Sequence, residues 1–138
     1  MPISRDTDVA VPEPGGGPPL SVPSALQRWA VTARDRAVVT ALVEEGELLS
    51  REDVCRVLVR DDGPGGPRCD WVRLAGHLDG LELTASERVF LALLLSMAGS
   101  RQVELSLVQD LDEGRLAIVL RALVRLSGNS RIAVGTRV

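Results

Sequence analysis

Residues 89–98 read Val-Phe-Leu-Ala-Leu-Leu-Leu-Ser-Met-Ala, and residues 116–126 read Leu-Ala-Ile-Val-Leu-Arg-Ala-Leu-Val-Arg-Leu. The first run has Ser96 as its sole polar member, and the second is interrupted only by Arg121 and Arg125. Neither reaches the roughly 20 apolar residues of a bilayer-spanning helix, so no membrane contact is expected. A helix lying half in water carries an apolar stripe and a polar opposite face. These runs have almost no polar face, which predicts two helices buried on most sides, in the core of the domain or against a partner.

The punctuation around them fits helices. Thr84-Ala85-Ser86-Glu87 is a capping box ahead of the first run, and Gly99 stops it. Val103 and Leu105 start a strand, or a short helix covers 105–111. Asp112 and Glu113 open the second helix with acids at its positive end, and Gly128 closes it. The remainder, Arg131 to Val138, alternates in polarity and is either a short strand or a frayed end.

Upstream, Leu26, Trp29, Ala30, Ala33, Ala37, Val38, Ala41 and Leu42 recur at threes and fours, predicting a helix from Ser21 or Ser24 to Glu45, either continuous or broken near 32–34. Ser50-Arg51-Glu52-Asp53 reads as a second capping box, starting a short helix through Val54, Val57 and Leu58. Asp61 to Pro67, Asp-Asp-Gly-Pro-Gly-Gly-Pro, is a loop. It is not a phosphate loop, because no Gly-Lys-Ser/Thr follows and two aspartates stand where an anion would sit. A helix at 70–78 closes at Asp79-Gly80. Pro12 to Pro19 is seven-eighths Pro and Gly, so residues 1–22 read as a disordered tail before a single helical domain at 23–138. Segments 33–80 and 85–128 share weak matches, which either an internal repeat or the low complexity of helical sequence would produce. The expected fold is all-α, a compact bundle of five or six short helices with, at most, a small C-terminal strand or wing.

Composition narrows the chemistry. The chain has 138 residues, 45% hydrophobic and 25% charged, which suits one globular domain. Trp29, Trp71 and Phe90 are its only aromatics, too few for stacking platforms on single-stranded nucleic acid. Every basic residue is Arg, the pattern of a GC-rich genome, and a bacterial source is expected. One His and two Cys cannot furnish a structural zinc site, so no metal and no cofactor are expected. His77 has no partner motif, and the adjacent acid pairs occupy helix ends, where capping explains them; no enzyme is expected, a small enzyme with an unrecognised site being the second alternative. The N-terminus lacks an apolar signal region, making a reducing cytoplasm the expected compartment.

The net charge of −3 conceals an asymmetry. Residues 1–82 hold 9 Arg against 14 acids, whereas residues 112–138 hold 5 Arg against 2. Taken together, the box at 84–87, the two apolar helices and the alternating terminus resemble a winged helix-turn-helix. That resemblance implies a DNA-binding regulator, with 116–126 as recognition helix, 129–138 as wing, and Arg115, Arg121, Arg125, Arg131 and Arg137 near phosphates. A recognition helix offers polar groups to base edges; the face here would offer Leu116, Ala117, Ile118 and Leu120. Protein contact is therefore the leading expectation and nucleic acid the disfavoured one. The expected function is a non-catalytic, self-associating interaction or assembly module. Its contact residues would be Leu91, Leu95, Leu116, Ile118 and Leu120, with Arg121 and Arg125 at the rim paired to acids of the first half.

Overall fold

A computed structural model describes residues 21–137 of the chain. The expected tail at 1–22 falls almost wholly outside them. Helix α1 (Val22–Trp29) has Pro23 in its first turn and Ser21 as N-cap, the hydroxyl accepting the Ser24 N–H at 3.3 Å. The chain then breaks at Ala30, and Thr32 caps α2 (Ala33–Glu45) by accepting the Asp35 N–H at 3.1 Å. Two adjacent β-branched residues, one able to bond its own backbone, explain why the periodic segment divides there. Gly46, at φ +78°, ends α2 in a left-handed conformation.

A 3-10 turn (Leu48–Ser50) leads into α3 (Glu52–Leu58). The capping box expected at Ser50–Asp53 does not form. Ser50 belongs to the preceding turn and donates to the Glu47 carbonyl at 2.6 Å, leaving Arg51 as N-cap. Strands β1 (Val59–Arg60) and β2 (Arg68–Cys69) pair antiparallel across the Gly/Pro loop, with Val59 opposite Cys69. Arg68 donates to Asp62 across the turn at 3.1 Å. This ribbon is the small sheet of the described residues, and 131–137 form no strand, having no neighbouring edge to pair with.

Helix α4 (Trp71–His77) is capped by Asp70 and followed by a 3-10 turn, Leu78–Gly80. Helix α5 (Ala85–Met97) carries the capping box in full: Glu87 N–H donates to the Thr84 hydroxyl at 3.1 Å, and Thr84 N–H to the Glu87 carboxylate at 2.9 Å. A 3-10 segment (Leu105–Asp110) settles the strand-or-helix alternative, and α6 (Glu113–Ser127) completes the bundle. The fold is thus all-α, six α-helices and three 3-10 turns among the described residues.

Helix α5 is the centre. Every side chain from Val89 to Leu95 is buried, and α2, α4 and α6 all pack on it. The broadest helix–helix contact is between α2 and α6, which closes the bundle over α5. Gly99, at φ +83°, ends the helix where the Arg34 guanidinium crosses it. That left-handed conformation favours glycine, and a larger residue would also have to displace the Arg34 guanidinium.

Candidate interaction surface

The two apolar runs, so alike in sequence, have different surroundings. Along α6 the helical period turns Ala117, Ile118, Val119 and Ala122 inward, all buried. It turns Leu120 and Leu123 outward, 41% and 45% exposed. The second run is therefore amphipathic in a sense hydropathy conceals: both its faces are aliphatic, and only one is covered. The 3-10 segment beside it adds Leu105, 73% exposed, and Leu107.

Between these elements runs a groove of about 510 Å³. Leu93 and Met97 of α5, Leu105 and Val108 of the 3-10 segment, and Leu120 and Leu123 of α6 line it. Of the remaining lining side chains only Ser96 is polar, and none is charged. Such a surface offers dispersion contacts and the release of water, and it has one hydroxyl with which to orient a polar ligand.

The expected contact residues distribute unevenly. Leu120 stands on the groove and Leu116 lines it half-buried. Ile118 is buried on the α2 side, near Glu45 and Arg115. Leu91 and Leu95 are wholly enclosed by the described residues, with elements of the first half packed on α5. Leu93, Met97, Leu105, Val108 and Leu123 line the groove beyond the expected set. The signal available for Leu123 is its spacing of seven from Leu116 and three from Leu120, a stripe distinct from Ile118 and Ala122.

The arginines of α6 are engaged by acids of the first half. Arg125 donates to Glu44 Oε2 at 2.8 Å, and Arg121 Nε lies 3.6 Å from Glu44 Oε1. Arg115 is the hub of a larger network. It donates to Glu45 at 2.7 and 3.2 Å, to Glu47 at 2.9 Å and to Asp112 at 2.6 Å, with Glu87 at 3.6 Å. Glu87 in turn accepts from Arg51 at 3.4 Å. The face that the winged-helix pattern would turn to DNA thus carries guanidiniums already paired with carboxylates.

Asp112, N-cap of α6, has its pKa lowered to about 2. The N–H of Arg115 is the largest cause, followed by the Ser86 hydroxyl and the Arg115 guanidinium, all favouring the charged form. Because the folded value lies below the unfolded one of 3.8, the resulting stability is present above pH 4 and lost as pH falls through about 2. At 1.36 kcal/mol per decade the linkage would reach about 2.4 kcal/mol. With the side chain 48% exposed, screening reduces it to about 1 kcal/mol. Asp112→Asn keeps a competent cap, so it should cost about 1 kcal/mol at pH 7 in urea unfolding. That gap should close between pH 4 and pH 2; a gap unchanged at pH 2 would mean the charge is not its source.

The other titratable groups have local explanations. His77 Nδ1–H donates to the Arg73 carbonyl at 2.9 Å on the exposed end of α4. The Cys55 thiol donates to the Leu49 carbonyl at 3.1 Å, and Cys69 is a buried residue of β2. Burial raises both thiol pKa values, so they behave as small hydrophobes. No helix of the described residues is long and apolar enough to cross a membrane. Comparison with protein-family models, curated proteins and solved structures finds no match to this chain.

Proposed function

We propose that the chain is a non-catalytic assembly module that self-associates through the groove between α5, the 105–110 segment and α6. The observation that carries this reading is the aliphatic surface that the described residues leave open there, with Leu105, Leu120 and Leu123 exposed on the groove and Leu107 beside it. Contiguous exposed apolar surface marks a contact site. A two-fold interface requires a self-complementary patch, and this one holds both a ridge, Leu120 with Leu123, and a hollow able to receive such a ridge. The more permanent interfaces between identical subunits are the more hydrophobic ones. Arg121 and Arg125, held by Glu44, flank the patch without entering it.

Sedimentation equilibrium at tens of micromolar tests the proposal. The wild-type chain should sediment as a dimer or larger. Leu120→Asp and Leu123→Asp should each weaken association about a hundredfold, the cost of placing a charge at an interface centre. Their unfolding midpoints, corrected for association, should stay near that of the wild-type monomer, since surface substitutions usually change stability by about 0.5 kcal/mol or less. A wild-type chain that remains monomeric at these concentrations overturns self-association.

A further inference from the structure

A second cavity, of about 530 Å³, lies on a different face, between the end of α1, the 30–32 break, the N-terminal half of α2 and the last turns of α6. It shares no lining residue with the apolar groove. Three arginines line it, Arg28 from α1, Arg36 from α2 and Arg125 from α6, and no carboxylate of the described residues does. Its floor is made of small aliphatic side chains, Ala30, Ala37 and Val39 among them. We infer that this cavity is a binding site for a compact aliphatic molecule bearing an oxyanion, a carboxylate or a phosphate ester.

The charge distribution supports the inference. The chain is acidic overall at −3, yet this cavity is lined by three arginines and by no acid of the described residues. Glu44 serves Arg125 and, more distantly, Arg121. Arg28 and Arg36 then bring two further positive charges to the same hollow. Arg36 is held over the break between α1 and α2 by its Nε–H, which donates to the Ala30 carbonyl at 3.4 Å, so its planar group is partly positioned in advance. Guanidiniums so placed recognise an oxyanion by charge-assisted, forked hydrogen bonds. Gln27 and Thr40 at the margin add neutral hydrogen-bonding groups.

The lining also selects against other anions. With no aromatic side chain in it, the cavity has nothing on which a nucleobase could stack. Duplex DNA is bound through a run of phosphate contacts, about six to ten in a typical complex. A concave site with three guanidiniums, one already neutralised, is built for a single small anion.

Isothermal titration of the full chain with citrate and, separately, with glycerol 3-phosphate tests the site and distinguishes carboxylate from phosphate ester. At least one should bind saturably with one-to-one stoichiometry. Arg28→Gln and Arg36→Gln should each weaken that binding about tenfold, the loss of one charge-assisted contact. Arg56→Gln, a distant and exposed control on α3, should leave it unchanged. Melting curves of the three variants should match the wild type. Failure of both anions to bind saturably in the wild-type chain overturns the inference, as does binding that Arg56→Gln weakens equally or that the cavity variants leave intact. Salt-sensitive retention of duplex DNA that depends on Arg28 and Arg36, without saturable binding of either small anion, would reassign the face to a polyanion and likewise overturn it. None of these outcomes depends on the oligomeric state, so the groove and the cavity stand or fall separately.

Discussion

Phe90→Ala is expected to cost about 3–5 kcal/mol, a large share of the roughly 5–15 kcal/mol that holds a small domain folded. Phe90 is the chain's one phenylalanine, fully buried on the central helix α5, and the largest of the wholly enclosed side chains. Removing its ring loses the transfer free energy of the buried carbons. It also leaves a cavity whose walls belong to helices tied down elsewhere, so collapse is partial. In urea the midpoint should fall sharply while the slope with denaturant stays near the wild-type value. Phe90→Leu, which refills most of the space, should cost only about 1–1.5 kcal/mol. Leu120→Ala is the matching control: the same kind of truncation on the open groove should cost far less in a monomeric background. If Leu120→Ala were as damaging as Phe90→Ala, the inside and outside faces of the second apolar run would have to be exchanged.

The contrast between those two positions marks where the sequence was readable. Helix ends were legible because they are local chemistry: Thr84 with Glu87, Asp112, Gly46 and Gly128 each act on backbone groups within a few residues. Ser50–Asp53 has the same local pattern and failed, because the neighbouring turn claimed Ser50 first. The burial of α5 was legible too, since a ten-residue run without a polar side has few places to go. What could not be read was which face of α6 is covered. Ile118 and Leu120 are equally apolar, and what separates them is that Ile118 packs on the α2 side, whereas Leu120 lies on the groove that the described residues leave open beside α5 and the 105–110 segment. The arginine cavity was invisible for a related reason. Arg28, Arg36 and Arg125 are brought together by the break at 30–32 and by the packing of α6 on α2, which no local pattern encodes.

Arg115→Met should destabilise the fold by about 3–5 kcal/mol, the usual consequence of deleting one partner from a buried ion pair. Glu45, with only 3% of its side chain exposed, has one oxygen accepting the Glu47 and Leu48 N–H groups at 2.9 and 2.8 Å. Its other oxygen depends on Arg115. Without the guanidinium that oxygen is a desolvated charge, and the Glu87 carboxylate loses a neighbour at 3.6 Å. The penalty therefore measures uncompensated burial rather than the net worth of the bridge. A double-mutant cycle separates the two. Glu45→Gln retains an acceptor for the two N–H groups while removing the charge, so Glu45→Gln with Arg115→Met should recover about 1–3 kcal/mol relative to Arg115→Met alone. Strict additivity of the two substitutions would show that Arg115 acts through Asp112 and Glu47 at the surface instead. The network joins the end of α2 to the starts of α5 and α6, residues 70 apart in sequence. Its coupling energy thus reports how strongly the two halves of the chain are locked together, and with them the walls of both the apolar groove and the arginine cavity.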